Sequence, residues 1–208
     1  MLFREAPPRS VPGMAKERLK SPRARLFVAL DLPEALREGI VAWGRRELRD
    51  PALRVVPPGS LHITLAFLGY LPEKEIERLG EIVGSLETTA PTIELGDPVA
   101  KPNARRARLF ALPADSPGAV ELQAELQGKL VAARLYEPER RPFWPHVTVA
   151  RVRPEGKGSK RPRAIERQPR GLPKDLLQPA RCVRVRLYRS ELKPSGAEYV
   201  PLAQVELR

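Results

Sequence analysis

The chain has 208 residues, 42% of them hydrophobic, and carries 37 Lys and Arg against 25 Asp and Glu for a net charge of +12. That length suits one large domain or two small lobes with a sizeable core. No stretch approaches the roughly 18 to 20 apolar residues of a membrane span, and the N-terminus lacks a signal-peptide apolar core, so a soluble, cytoplasmic protein without a membrane partner is expected.

The positive charge is unevenly spread. Residues 1–25 hold seven basic and two acidic side chains, and residues 155–175 hold seven basic and three acidic, so these segments carry +9 of the +12. Both are rich in Pro, Gly and Ser, which predicts a flexible basic extension over residues 1–24 and a mobile basic loop at about 155–175. Such charge suits either plain solubility or a grip on phosphate backbones.

From Arg25 the pattern turns regular. Leu26 to Leu30 reads as a strand, and Pro33 opens a helix to about Leu48 with Leu36, Ile40 and Trp43 on one face. Pro57-Pro58-Gly59 breaks the chain before a strand at His62-Ile63-Thr64-Leu65. Pro72 to Leu86 reads as a second helix, with Glu73 and Glu75 suiting its N-terminal dipole. Thr92 to Leu95 and Arg108 to Leu112 are short strands, and Pro117 to Leu135 is a third helix with Leu122, Leu126 and Leu130 in register. A strand at His146-Val147-Thr148-Val149 follows, then strands at Val183 to Tyr188 and Glu198 to Leu207, where Pro201 demands an edge position or a broken strand. Cys182 sits in a strand-like run, Cys182-Val183-Arg184-Val185-Arg186-Leu187, and reads as a structural thiol.

The order β-α-β-α-β-β-α-β-β-β, with one strand type repeated 84 residues apart, predicts a duplicated α+β fold. Two lobes would place their sheets across a cleft.

The repeated strand is the sharpest signal. The chain has two histidines and five threonines, and each histidine is followed by Thr two places on, a coincidence expected roughly six times in ten thousand. On a strand, His62 and Thr64 share one face while Ile63 and Leu65 share the other; His146, Thr148, Val147 and Val149 repeat the arrangement. Two imidazoles near neutral pKa can supply one base and one acid, which suits displacement at phosphorus, with threonine hydroxyls holding the non-bridging oxygens. A zinc site needs three or four donors, and neither motif contains Asp or Glu, so no metal is expected. No Gly-x-Ser-x-Gly or P-loop sequence is present.

These motifs, together with Arg25-Leu26-Phe27-Val28-Ala29-Leu30-Asp31-Leu32-Pro33, Arg141-Pro142-Phe143-Trp144-Pro145 before the second histidine, and Leu187-Tyr188-Arg189-Ser190-Glu191-Leu192-Lys193-Pro194-Ser195-Gly196-Ala197-Glu198-Tyr199, resemble the two-histidine phosphoesterase superfamily. The branch they resemble is the bacterial and archaeal RNA 2′,3′-cyclic phosphodiesterases, historically called 2′-5′ RNA ligases. The resemblance implies a single bilobal catalytic domain over residues 25–208, with two antiparallel sheets facing a central cleft and helices outside. It implies hydrolysis of RNA-terminal 2′,3′-cyclic phosphates, or of cyclic nucleotides, to 2′-phosphomonoesters without a cofactor.

By motif position the resemblance implies that His62 is the proton donor and His146 the proton acceptor, with Thr64, Thr148 and Arg151 on the phosphate. Strict alternation sets Arg151 on the face opposite His146, so it reaches the phosphate only where the strand ends, twists or bulges. Phe27 and Phe143 are candidates for base stacking, as are Phe67 and Trp144, although such rings beside apolar strands also pack inward. A monomer is expected. Reversible 2′-5′ RNA joining at the same site, and a noncatalytic RNA-binding module, remain open on sequence alone.

Overall fold

The computed structural model describes residues 22–193 and 196–208. The expected basic extension lies, through residue 21, outside the described residues; Arg23 and Ala24 already belong to the first strand. In chain order the strands are β1 (Arg23–Asp31), β2 (Leu53–Val55), β3 (His62–Pro72), β4 (Thr92–Leu95), β5 (Val99–Lys101), β6 (Leu109–Asp115), β7 (His146–Val152), β8 (Ala180–Arg181), β9 (Arg184–Lys193) and β10 (Gly196–Glu206). The helices are α1 (Glu34–Glu47), α2 (Ile76–Gly84) and α3 (Pro117–Ala132).

All ten expected elements are present, and three very short strands, β2, β5 and β8, join them. Helix α1 buries Leu36, Ile40 and Trp43, the predicted face, while Pro33 caps it from outside rather than opening it. Helix α2 begins four residues later than expected, because Pro72 ends β3 and Glu73–Glu75 form a 3-10 turn first. In α3, Ser116 accepts a hydrogen bond from Ala119 N and Leu122, Leu126 and Leu130 are fully buried.

The sheet is antiparallel throughout and has two halves. One runs β10-β9-β1-β3 and the other β7-β6-β4-β8, with β2 paired to β7 and β5 to β6. The expected two sheets are thus joined edge to edge, through a single pair, Ile63 with Val147, both fully buried. Helices α2 and α3 pack on the sheet and on one another. The core on that side includes Leu26, Val28 and Leu30 of β1, Ile63, Val147 and the leucines of α3. Pro201 lies on the edge strand β10 beside a bulge at Leu202, where a missing N–H costs nothing.

The segment 155–175 is largely irregular, and its second half is hydrogen-bonded to the body of the fold. The buried Asp50 carboxylate accepts hydrogen bonds from Ala52 N, Glu166 N and Arg167 N at 2.8 to 3.0 Å. The Trp43 indole donates to the carbonyls of Arg170 and Gly171, and Leu172 N donates to Asp97. Burial raises the Asp50 pKa, yet the three N–H donors outweigh it and hold the carboxyl below its ordinary range. Among the described residues no helix is long and apolar enough to cross a membrane.

Candidate active site

The pairing of Ile63 with Val147 joins equivalent positions of the two motifs, so a local two-fold axis passes between them. Extending this antiparallel register by one residue each way sets His62 opposite Thr148 and Thr64 opposite His146. With Ile63 and Val147 facing the core, all four polar side chains face the other side together. They line one cleft of about 130 Å³.

Both strands then break alternation at the same place. Between Val28–Ala66 and Ala29–Thr64 the register of β3 against β1 slips by one residue at Leu65. Between Phe110–Ala150 and Ala111–Thr148 the register of β7 against β6 slips at Val149. Each slip is a bulge that buries two consecutive residues, Leu65 with Ala66 and Val149 with Ala150. The residue five places after each histidine therefore returns to the cleft face. In β7 that residue is Arg151, which lines the cleft, so the bulge condition set by its sequence position is met. In β3 it is Phe67.

Phe67 carries a cation of its own. The Arg25 guanidinium lies over its ring at 4.7 Å and also donates to the buried Ser190 hydroxyl at 2.9 Å. Arg25 lines the same cleft as both histidines. Sequence reasoning missed this second guanidinium. The signal was an Arg sharing the β1 face of Phe27 and Ala29, opposite Leu26, Val28 and Leu30.

The imidazoles are fixed alike. His62 Nδ1 donates to Ser60 O and His146 Nδ1 donates to Trp144 O, each at 2.8 Å and each to the carbonyl two residues upstream. A carbonyl only accepts, so both rings keep their proton on Nδ1 and turn Nε2 to its own chemistry. In the neutral ring, His62 Nε2 accepts from the Thr64 hydroxyl at 3.0 Å.

Their surroundings differ. His62 sits against Phe27 (centroids 5.1 Å apart), Tyr199 (5.4 Å) and Tyr188 (6.4 Å). Burial pushes its pKa down to about 4, helped by the positive charge of His146 and Arg151 and opposed by the Ser60 carbonyl. His146 stacks on Trp144 at 4.2 Å, and Lys101 Nζ covers the Trp144 ring at 4.2 Å. Its pKa is also lowered, first by burial, then by Lys101 and Arg151, against the Trp144 carbonyl. Resting imidazoles are thus neutral at pH 7.

Behind His62, the Tyr188 hydroxyl donates to Asp31 at 2.9 Å and Arg186 pairs with the same carboxylate at 2.9 Å. Burial raises the Asp31 pKa in spite of both partners.

The aromatic candidates separate. Phe27 lines the cleft, but its ring stacks on Tyr188 at 5.2 Å and meets the edge of Tyr199 at 4.8 Å, leaving it 4% exposed. Phe143 packs against the core and does not line the cleft. Of the rings that line the cleft, Phe67 and Tyr199 are the accessible ones; Trp144 is part-exposed but stacks on His146 outside that lining. Among the described residues no carboxylate lines the cleft, and no group of three or more His, Cys, Asp or Glu could hold a metal ion. Cys182 is fully buried, and desolvation pushes its thiol up to about 12, which suits the structural role expected of it.

Two relatives share much of this chain. An RNA 2′,3′-cyclic phosphodiesterase of Thermus thermophilus is 32% identical over 88% of this chain and 90% of its own length. One of Escherichia coli (strain K12) is 32% identical over 61% of this chain and 71% of its own. The crystal structure of E. coli LigT complexed with 3′-AMP superposes with a TM-score of 0.70 and 27% identity, over 89% of this chain and 99% of that one. The family model of the 2′-5′ RNA ligase superfamily matches residues 32–189, a span that includes both histidine strands and both bulges. With its paired motifs on a two-fold axis, the chain belongs to the 2′-5′ RNA ligase superfamily.

Proposed function

We propose that this chain hydrolyses the 2′,3′-cyclic phosphate at an RNA end, or on a cyclic nucleotide, to a 2′-phosphomonoester. The observation that carries this reading is the two-fold placement of two imidazoles, each with Nδ1–H pinned and Nε2 turned away, in one cleft with guanidiniums and, among the described residues, no carboxylate. The relatives named as RNA 2′,3′-cyclic phosphodiesterases support the same substrate class.

In this scheme a water attacks phosphorus and passes its proton to His146 Nε2 as the P–O3′ bond breaks. His62, carrying a proton on Nε2 while substrate is bound, gives it to the departing O3′. His62 ends neutral and His146 protonated; exchange with solvent resets both. The phosphodiester anion supplies the opposite charge that His62 lacks in the empty cleft, raising its pKa as it binds. Thr64 and Thr148 hydroxyls donate to the non-bridging oxygens, and Arg151 and Arg25 neutralise the charge there. No step needs a metal or nucleotide cofactor.

With a 5′-hydroxyl end attacking in place of water, the same proton transfers in the same direction join it to the 2′,3′-cyclic phosphate through a 2′-5′ bond as P–O3′ breaks, the reaction in the family's name. In dilute water hydrolysis dominates. The cleft is built from one chain, which supports a monomer as the working unit, and an RNA substrate supports a cytoplasmic location.

Phosphorus NMR of a 2′,3′-cyclic nucleotide turned over in the presence of a chelator tests the reading. The expected product is the 2′-phosphomonoester alone. An unchanged substrate, or a wild-type rate in His62→Ala or His146→Ala, defeats it.

A further inference from the structure

Beyond the catalytic cleft, the second basic feature of the sequence forms a defined surface. Arg54 of β2 is directly opposite Arg151 of β7. Like charges facing each other across an antiparallel pair are destabilising. Arg153 N bonds to Ala52 O, and Arg163 N to Arg153 O, which brings Arg163 alongside. With Lys157 these residues line a shallow groove of about 340 Å³. Among the described residues, none of the five has a carboxylate within 4.0 Å. The acid nearest in sequence to Lys157, Glu155, is paired with Arg161 at 3.2 Å.

The groove is continuous with the cleft. Arg151 lines both, and a concavity between them shares Val56, Ser60, Arg151 and Tyr199 with the cleft and Arg54 with the groove. The array is also held in place. Arg163 N on Arg153 O and the Asp50 bonds to Glu166 and Arg167 anchor the chain beside Arg163, and Glu155 N on Arg161 O closes the turn that bears Lys157. Less conformational entropy is then lost when those cations meet a ligand.

A row of unpaired cations that starts at a phosphate-sized cleft fits a chain of phosphates. Resting on the cyclic-phosphate reading above, we propose that this groove holds the RNA backbone on the 5′ side of the terminal cyclic phosphate. The preferred substrate is then an oligoribonucleotide rather than a cyclic mononucleotide. Phosphate contacts of this kind add affinity without reading sequence, and they weaken with salt because releasing counterions into a more concentrated solution gains less entropy.

The test uses the full chain and a triple variant, Arg54→Ala with Lys157→Ala and Arg163→Ala, none of which lines the catalytic cleft. KM is measured for RNAs of one, two, four and eight nucleotides ending in a 2′,3′-cyclic phosphate. For the unaltered protein KM falls by about tenfold or more with length and then levels off, because added phosphates fill the groove and then pass beyond it. In the variant this fall disappears while kcat/KM for the mononucleotide is unchanged. The slope of log KM for the longest RNA against log salt becomes shallower by about 2, from three lost contacts at roughly 0.7 each. A KM independent of length, or a fall that survives in the variant, overturns the groove assignment. If the unaltered protein turns over no cyclic mononucleotide or oligomer, the activity reading fails instead. Fluorescence anisotropy of a labelled eight-nucleotide RNA then decides the groove separately: loss of affinity in the variant supports it, and equal affinity refutes it.

Discussion

His62 and His146 share a backbone device down to the hydrogen bond: Nδ1–H to a carbonyl two residues upstream, Thr two residues on, a bulge one residue later. Around that device the halves diverge. His62 is enclosed by Phe27, Tyr188 and Tyr199 and bonded through Nε2 to Thr64; His146 lies against Trp144 near Lys101 and has no such Nε2 bond among the described residues. Five places after each histidine, one strand provides Arg151 directly, and the other provides Phe67 as a platform for Arg25. Duplication gave two equal reactive groups, and the differences in packing allow them unequal tasks.

The largest effect comes from removing either imidazole. His62→Ala and His146→Ala are each expected to cut kcat on a cyclic phosphate by about 10³-fold, within the range for general acid or base catalysis. The comparison sharpens with bis(p-nitrophenyl) phosphate, whose leaving group departs without a proton. There the His62 variant should regain most of its loss and the His146 variant should not. Equal loss on both substrates removes the assignment of His62 as acid.

The cations come next. Arg151 reaches the cleft from its own strand, so Arg151→Met is expected to lower kcat by about 10²-fold, the scale of losing one charge-stabilising donor. Arg25 acts from a neighbouring strand, and Arg25→Met should cost about tenfold, a weaker version of the same term. Phe67→Leu removes the ring under Arg25, worth about 1 kcal/mol, and should produce a smaller loss in the same direction. Steady-state rates for the three variants check the order. A Phe67→Leu protein as slow as Arg25→Met would mean that the ring acts on substrate itself.

How much of this was readable in the chain follows from the range of each interaction. Strand β3, strand β7, helix α1 and the leucine face of α3 depend on local periodicity and are plain in the sequence. So is the shared His/Thr face, a consequence of alternation alone. The bulges are half legible: two consecutive apolar residues close each motif, Leu65-Ala66 and Val149-Ala150, where strict alternation would place a polar one. Strands β2, β5 and β8 have three residues or fewer, too short to show a period. The tether of the basic loop was invisible, because Asp50 binds backbone N–H groups 116 and 117 residues away, and backbone donors leave no mark on sequence. The position of Phe143 against the core has a related reason: periodicity cannot tell an aromatic that faces a cleft from one that faces a core.

The pH responses separate the halves further. In the free enzyme both imidazole pKa values lie below the ordinary 6.5, His62 at about 4, so the bell of kcat/KM has both limbs below 6.5. Bound phosphodiester raises both pKa values, so the bell of kcat should lie at higher pH. A kcat/KM limb at or above pH 7 contradicts the lowered values. Stability follows from the same shift. Between 6.5 and about 4 the unfolded chain protonates at His62 while the folded chain does not, so stability is greatest above 6.5 and declines as pH falls, by roughly 3 kcal/mol in total from this residue. Urea titrations at pH 7 and pH 4.5 should show that loss reduced in His62→Asn.

The threonines test the asymmetry most directly, through shifts in pH profile rather than through the size of the rate loss. Both hydroxyls face the phosphoryl oxygens in the proposed scheme, so Thr64→Val and Thr148→Val should each lower kcat by about tenfold, the worth of one hydrogen bond to a charged oxygen. Thr64 has a second role, because its hydroxyl donates to neutral His62 Nε2 in the empty cleft. Losing that donor destabilises the neutral ring, so the His62 pKa rises toward its ordinary value and the acid limb of kcat/KM moves to higher pH. His146 has no matching bond to Thr148 among the described residues, so Thr148→Val should leave both limbs in place. Matching pH profiles for the two valine variants would mean that the Thr64 bond does not hold His62 neutral, leaving its aromatic enclosure as the cause.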